Sequence, residues 1–167
     1  MRRLVVGLSL VLLAAGCSSE PAQLSGFVRD PLPDVSVASL PDVSSDGVDL
    51  SMRAPEGEIL LLYFGYTSCP DVCPTTLADL RTALRQIGDT ATRVNVAMAT
   101  IDPERDTDEV ITGYVQSFIP GAHAVRTDSP DVLRAAADVF GADYGVSEVV
   151  DGKYDVLHSG TLYAIAE

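Results

Sequence analysis

Apolar positions fall into continuous runs and helically spaced sets, and their alternation predicts the order of elements. Residues 58–64, EILLLYF, form an almost unbroken apolar run that stops at Gly65, as a strand buried on both faces does. Leu77, Leu80, Leu84 and Ile87 then recur at helical spacing until Gly88. Val94 to Ile101 predicts a second buried strand. Asp106 stands three residues before Glu109, the spacing of a capping box, and predicts a capped helix running to about Phe118. Pro120 and Gly121 stop it. His123 to Arg126 predicts a short surface strand, and Ser129 before Pro130 opens a helix to about Phe140. Val146 to Val150 and Tyr154 to Leu157 flank Asp151-Gly152 as the arms of a hairpin, and Thr161 to Ile165 forms a last strand. Pro31 to Glu56, with several prolines and Asp46-Gly47, reads as an entry segment of loops and weak edge strands.

Strand, helix, strand, helix and then antiparallel additions describe a three-layer α/β domain with a central mixed sheet. A strand that delivers two cysteines to a helix start points to the thioredoxin-like class. The chain stops at Glu167, directly after the predicted last strand, with nothing following to cover that part of the sheet.

The first residues change the picture of where this domain resides. Arg2 and Arg3 precede an apolar run from Leu4 to Ala15, too short for a bilayer span of roughly 20 residues and suited to a secretory signal. Leu13 and Ala14-Ala15-Gly16-Cys17 resemble a bacterial lipobox, in which the cysteine is lipidated and becomes the mature N-terminus. The expected organisation is a lipoprotein signal peptide over 1–16, a lipidated tether over 17–30 and a domain over 31–167. The formal charge is −13, and signal removal takes away two arginines and no acid. Such a surface repels nucleic acid and anionic lipid headgroups. Attachment to the extracytoplasmic side of a cell membrane is therefore expected through acyl chains on Cys17.

With Cys17 set aside, the remaining two cysteines lie in GYTSCPDVCPTT, residues 65–76. A helix starting near Pro70 places Cys69 at its N-cap and Cys73 one turn in, with both sulfurs on one side. Pro74 is tolerated in a first turn, where N–H groups lack intrahelical partners. Those free N–H groups and the positive end of the helix dipole favour thiolate, making the pair reactive. A disulfide here would close only a five-residue loop, contributing about 2 kcal/mol against roughly 3 for a 15-residue loop. It would be a poor staple. Thiol–disulfide exchange suits such cysteines, although C-x-x-x-C is one residue longer than the usual C-x-x-C redox motif. Two thiolates also form a soft clamp for Cu(I) or Zn(II), and an imidazole would complete a three-coordinate S₂N site for Cu(I). The chain has only two histidines, His123 and His158. His158, on a bend before the last strand, is the candidate, because that loop approaches the active-site helix in a thioredoxin-like sheet. His123 is expected to be a surface-strand residue. The residues themselves leave a metal site, a redox pair and a zinc-stabilised structural module open.

FGYTSCPDVCPTTL, residues 64–77, closely resembles the signature of the Sco/SenC family; DPERDT, residues 102–107, resembles its second motif and His158-Ser159 its third. These are membrane-tethered, thioredoxin-like copper proteins that help to assemble the copper A centre of cytochrome c oxidase. The resemblance runs from about Gly57 to Ala164. It implies that Cys69, Cys73 and His158 bind copper as Cu(I) and Cu(II), and that the partner is the copper A subunit of the oxidase. It further implies a metallochaperone rather than a conventional enzyme, with reduction of the copper A subunit cysteines by Cys69 and Cys73 as the alternative. Asp71 and Asp102 are candidates for tuning the site from beyond the ligands. Thioredoxin-type reductases place a cis-proline opposite their cysteines, and Leu157-His158-Ser159-Gly160-Thr161 contains no proline. Leu157 stands where the family more often has aspartate, and because the family usually continues past this point, the resemblance implies that its final strand and helix are lacking here.

Overall fold

The computed structural model describes residues 26–151 and 154–166. Cys17 and the predicted signal peptide therefore lie outside the described residues. Pro31–Glu167 forms one compact unit.

Chain order within it is β1 (Ser39–Asp42), β2 (Val48–Ser51), β3 (Ile59–Gly65), α1 (Val72–Gln86), β4 (Val94–Thr100), α2 (Asp108–Phe118), β5 (His123–Val125), α3 (Pro130–Phe140), β6 (Tyr144–Val146), β7 (Val156–His158) and β8 (Leu162–Ile165). Six strands form one sheet in the order β2-β1-β5-β4-β3-β8, and β6 pairs with β7 in a separate two-stranded ladder. β3, β4 and β5 run parallel, joined through α1 and α2, while β1 and β8 add antiparallel to either side. The sheet is mixed, as expected. The entry segment becomes the β1–β2 hairpin, in whose turn Asp46 and Gly47 both take positive φ, 54° and 73°, the conformation for which Asp-Gly is suited.

The apolar run of β3 is explained by its position, paired with β4 on one side and β8 on the other. Successive side chains on a strand point to opposite faces. Phe64 meets Phe140 of α3, with ring centroids 5.8 Å apart, and Tyr163 of β8 at 6.1 Å. Tyr63, one residue earlier, meets Cys73 of α1. The two helices therefore lie on opposite faces of the sheet, which makes three layers. Leu77 on α1 is fully buried, and Leu80 nearly so. Phe140, Phe64 and Tyr163 form an aromatic cluster on the other side.

Three expected boundaries shift. The first helix starts at Val72 with Asp71 at its N-cap, so Cys69 lies in the turn before it. The second helix is capped by Thr107, whose hydroxyl accepts from the Val110 N–H at 3.3 Å. Asp106 is not the cap because its carboxyl is fully buried among other donors, Thr67 and Thr100. The late hairpin pairs Tyr144 with His158 and Val146 with Val156, so its strands sit further from Asp151-Gly152 than the sequence pattern suggests.

Phe140→Ala is expected to lower unfolding free energy by about 3–5 kcal/mol, as read by urea denaturation. A change under about 1 kcal/mol would mean that the α3 face collapses around the missing ring.

Candidate metal centre

Three segments converge beyond the C-terminal end of β3. Gly65 closes the strand on the same face as Tyr63, and α1 approaches there so closely that no side chain fits. A Cβ on Gly65 would stand 2.6 Å from Tyr63 Cε1 and 3.1 Å from both Cys73 Sγ and Met98 Cε. The following turn, Tyr66 to Cys69, is closed by the Cys69 N–H donating to the Tyr66 carbonyl at 3.3 Å. Cys69 Sγ then accepts from the Cys73 N–H at 3.4 Å. The sulfur thus takes one of the helix N-terminal donors despite lying outside the helix.

Asp106 anchors this turn from below. Its two carboxyl oxygens accept from the Thr67 N–H at 3.0 Å, the Thr67 hydroxyl at 2.5 Å and the Thr100 hydroxyl at 2.6 Å. One side chain thereby ties the cysteine turn to the end of β4. The rest of DPERDT is stitched down by Arg126, which donates to the carbonyls of Asp106 (2.7 Å) and Pro103 (3.0 Å).

His158 arrives at the end of β7. Its Nε2 lies 3.5 Å from Cys73 Sγ and 3.9 Å from Cys69 Sγ, and the three donor atoms all fall within 4.8 Å of one another. Nδ1 sits 3.0 Å from the Ser159 carbonyl. A carbonyl only accepts, so the proton is on Nδ1 and the Nε2 lone pair faces the sulfurs, the arrangement by which a second hydrogen bond orients a ligating imidazole. Both cysteines are free. Planar three-coordination with bonds of about 2.0–2.3 Å separates its donors by about 3.5–4 Å. Two soft sulfurs and an imidazole at this spacing suit Cu(I).

The cluster is walled by phenols. The Tyr63 hydroxyl donates to Cys73 Sγ at 3.5 Å, and the rings of Tyr63 and Tyr66 stand edge-on to His158 with centroids 6.0 and 5.6 Å away. Burial, then the bond to Cys73, pushes the Tyr63 hydroxyl far above the usual phenol range. Burial, then the neighbouring cysteines, raises Tyr66 as well, and raises Tyr114 to about 12. Each remains neutral at physiological pH; Tyr63 and Tyr66 donate, to Cys73 Sγ and the Val156 carbonyl. Cys73 has no exposed surface and Cys69 only 9%.

The other candidates separate from these three residues. Asp102 is buried but does not join the donor cluster; it accepts from Tyr154 at 2.7 Å and pairs with Arg105. Burial, then that bond from its hydroxyl, raises Tyr154 to about 12. For Arg105 burial is the largest single influence and works downward, but the hydrogen bond to Asp102, that carboxylate's charge and the nearby tyrosines together outweigh it, so the guanidinium is held more firmly protonated. Asp71 is exposed at the N-cap and makes no side-chain capping bond. His123 lies outside the cluster, with Nδ1 2.7 Å from Asp42 on β1. Leu157 is 74% exposed, so His158 takes its orientation from Ser159 and the tyrosines instead. Sequence reasoning missed Tyr63, Tyr66, Arg105 and Asp106 as parts of the site. The available signal was the shared face of Tyr63 and Gly65, two residues apart on a strand that ends at the cysteine turn.

Residues 41–167 match the SCO1/SenC family, and the chain belongs to it. The chain is 29% identical over 128 residues to a relative from Stutzerimonas stutzeri, across 76% of this chain and 62% of that protein. It is 32% identical over 125 residues to the mitochondrial SCO1 homolog 1 of Arabidopsis thaliana, across 74% of this chain and 37% of that protein. It thus spans less than two thirds of the length of these relatives. Among solved structures, ScoI of Bradyrhizobium japonicum with copper bound superposes with a TM-score of 0.66 at 31% identity, over 76% of this chain and 79% of that one. The thioredoxin-like fold is shared with it.

Gly65→Ala is expected to cost about 1–3 kcal/mol through forced displacement of Tyr63 and Cys73, and to change thiol reactivity in a reagent titration of the folded protein. Asp106→Ala, which leaves the part-buried N–H and hydroxyl of Thr67 and the buried Thr100 hydroxyl without their acceptor, is expected to cost on the order of 3 kcal/mol, measurable by chemical denaturation. Wild-type stability in that variant would show that water replaces the carboxyl.

Proposed function

We propose that this protein binds copper through Cys69, Cys73 and His158 and delivers it to the copper A subunit of cytochrome c oxidase. The observation that carries this reading is the convergence of two free sulfurs and an oriented imidazole nitrogen at spacings of 3.5 and 3.9 Å from nitrogen to sulfur. Family membership and the copper held by the Bradyrhizobium ScoI structure support copper over zinc.

The copper is cargo. Cys69 and Cys73 hold it as thiolates, His158 supplies the third donor, and the tyrosine walls keep water from the sulfurs. Release asks an incoming set of thiolates and imidazoles to replace these donors one at a time. Attachment through lipid at Cys17, on the extracytoplasmic face of the cell membrane, would keep the site beside a membrane-bound oxidase. Among the described residues no helix is long and apolar enough to cross a membrane.

The hydrogen bond from the Cys73 N–H to Cys69 Sγ also suits a second role, reduction of a disulfide in the copper A subunit. Cys69 would attack one sulfur of that bond, and Cys73 would then displace the substrate thiolate, leaving a Cys69–Cys73 disulfide and two reduced thiols on the partner.

Copper titration of the reduced protein tests the first reading. His158→Ala is expected to weaken Cu(I) binding by more than about tenfold and to alter the visible spectrum of the Cu(II) form. Unchanged affinity and spectrum would remove His158 from the site. Reduction of a disulfide peptide by a protein that fails to transfer copper to an apo copper A domain would favour the second role.

A further inference from the structure

His158 is carried by a two-stranded arm that shares no ladder with the six-stranded sheet. Backbone pairing within that arm fixes β7 against β6, but it cannot fix β7 against the cysteine turn. β6 itself is held from α3, where Arg134 donates to the Tyr144 carbonyl at 3.0 Å and lies over the Tyr144 ring. On the cysteine side the attachment is made by side chains. The Tyr66 hydroxyl donates to the carbonyl of Val156 at 3.3 Å, two residues before His158, while the Tyr66 ring stands at 85° to the imidazole. Tyr66 directly follows Gly65 and opens the turn that carries Cys69, so one residue touches both halves of the donor set.

Tyr66 is itself backed. The Arg105 guanidinium lies 5.7 Å from the Tyr66 ring centroid and 4.2 Å from that of Tyr154. Asp102 holds both Arg105 and the Tyr154 hydroxyl, and Tyr154 stands two residues before Val156. The DPERDT loop thus reaches His158 through two rings and one guanidinium.

We propose that Tyr66 is a positioning residue for His158, latching the β7 arm onto the cysteine turn, with Arg105 and Asp102 holding the latch closed. This deepens the copper reading of the same site and concerns the placement of the third donor, not its identity. Without the latch the two sulfurs keep their places, which are set by Gly65, Asp106 and α1, and the imidazole loses its fixed distance to them.

The test uses Tyr66→Phe and Arg105→Gln, which preserve most of the packing volume. In the reduced, metal-free protein, amide hydrogen exchange at Ser147 and Ser159, whose N–H groups bond within the arm, is expected to quicken by about five- to tenfold on loss of one hydrogen bond. Amides of β3 and β4 should be unaffected. In the Cu(II)-loaded variants, the nitrogen coupling in the electron paramagnetic resonance spectrum should weaken or become heterogeneous. Unchanged exchange in the arm together with an unchanged nitrogen coupling overturns the proposal. So does faster exchange that is uniform across β3, β4 and the arm, because the change is then general loss of stability. His158→Ala is the control for the metal reading. If the nitrogen coupling survives that substitution, copper is not bound by His158, while the exchange data still decide whether Tyr66 holds the arm.

Discussion

Alternation along a single strand sets the terms for the rest of the molecule. On β3, Tyr63 and Gly65 share the face against α1, and Phe64 turns to the aromatic cluster beneath α3. The strand cannot slip by one residue without exchanging these roles. Its register with β4, Ile59 to Val94 through Gly65 to Thr100, also places Thr100 beside the cysteine turn, where it meets Asp106. Core and site are therefore not separate problems: the alternation that buries Phe64 on one face and Tyr63 on the other also determines how near α1 can bring Cys73.

The polar groups follow the same logic. This is an acidic chain, yet three carboxyls, Asp42, Asp102 and Asp106, are buried among the described residues. Each is supplied with donors: Ser44 and His123 for Asp42, Tyr154 and Arg105 for Asp102, two threonines for Asp106. Buried acceptors satisfied in this way are costly to disturb. Two of them belong to the DPERDT loop, so that loop serves as the floor on which the cysteine turn and Tyr154 are set.

Much of this was legible in the sequence, for identifiable reasons. The continuous run of β3, the leucine spacing of α1 and the Ser129-Pro130 start of α3 are strong local signals, and the structure keeps all three. The cysteine pair announced itself by composition, and His158 by its place before the last strand and by the family motif. The failures were long-range. Asp106 resembled a cap because its spacing to Glu109 fits one; its capture by Thr67, 39 residues earlier, leaves no local trace. Cys69 seemed to open the helix, but it lies in the turn before α1 and its sulfur reaches in to accept from the Cys73 N–H. Tyr66 looked like part of a motif, and only the fold reveals the carbonyl 90 residues away that it holds.

Separation in sequence gives the imidazole a role that the sulfurs do not share. Cys69 and Cys73 are four residues apart and stay neighbours when the chain is unfolded, whereas His158 is joined to Cys73 across 85 residues. A thiophilic ion can therefore bind the denatured chain through the cysteines, and such binding gives no preference to the native state. Only the nitrogen distinguishes the two. It is the donor through which cargo and tertiary structure are thermodynamically linked.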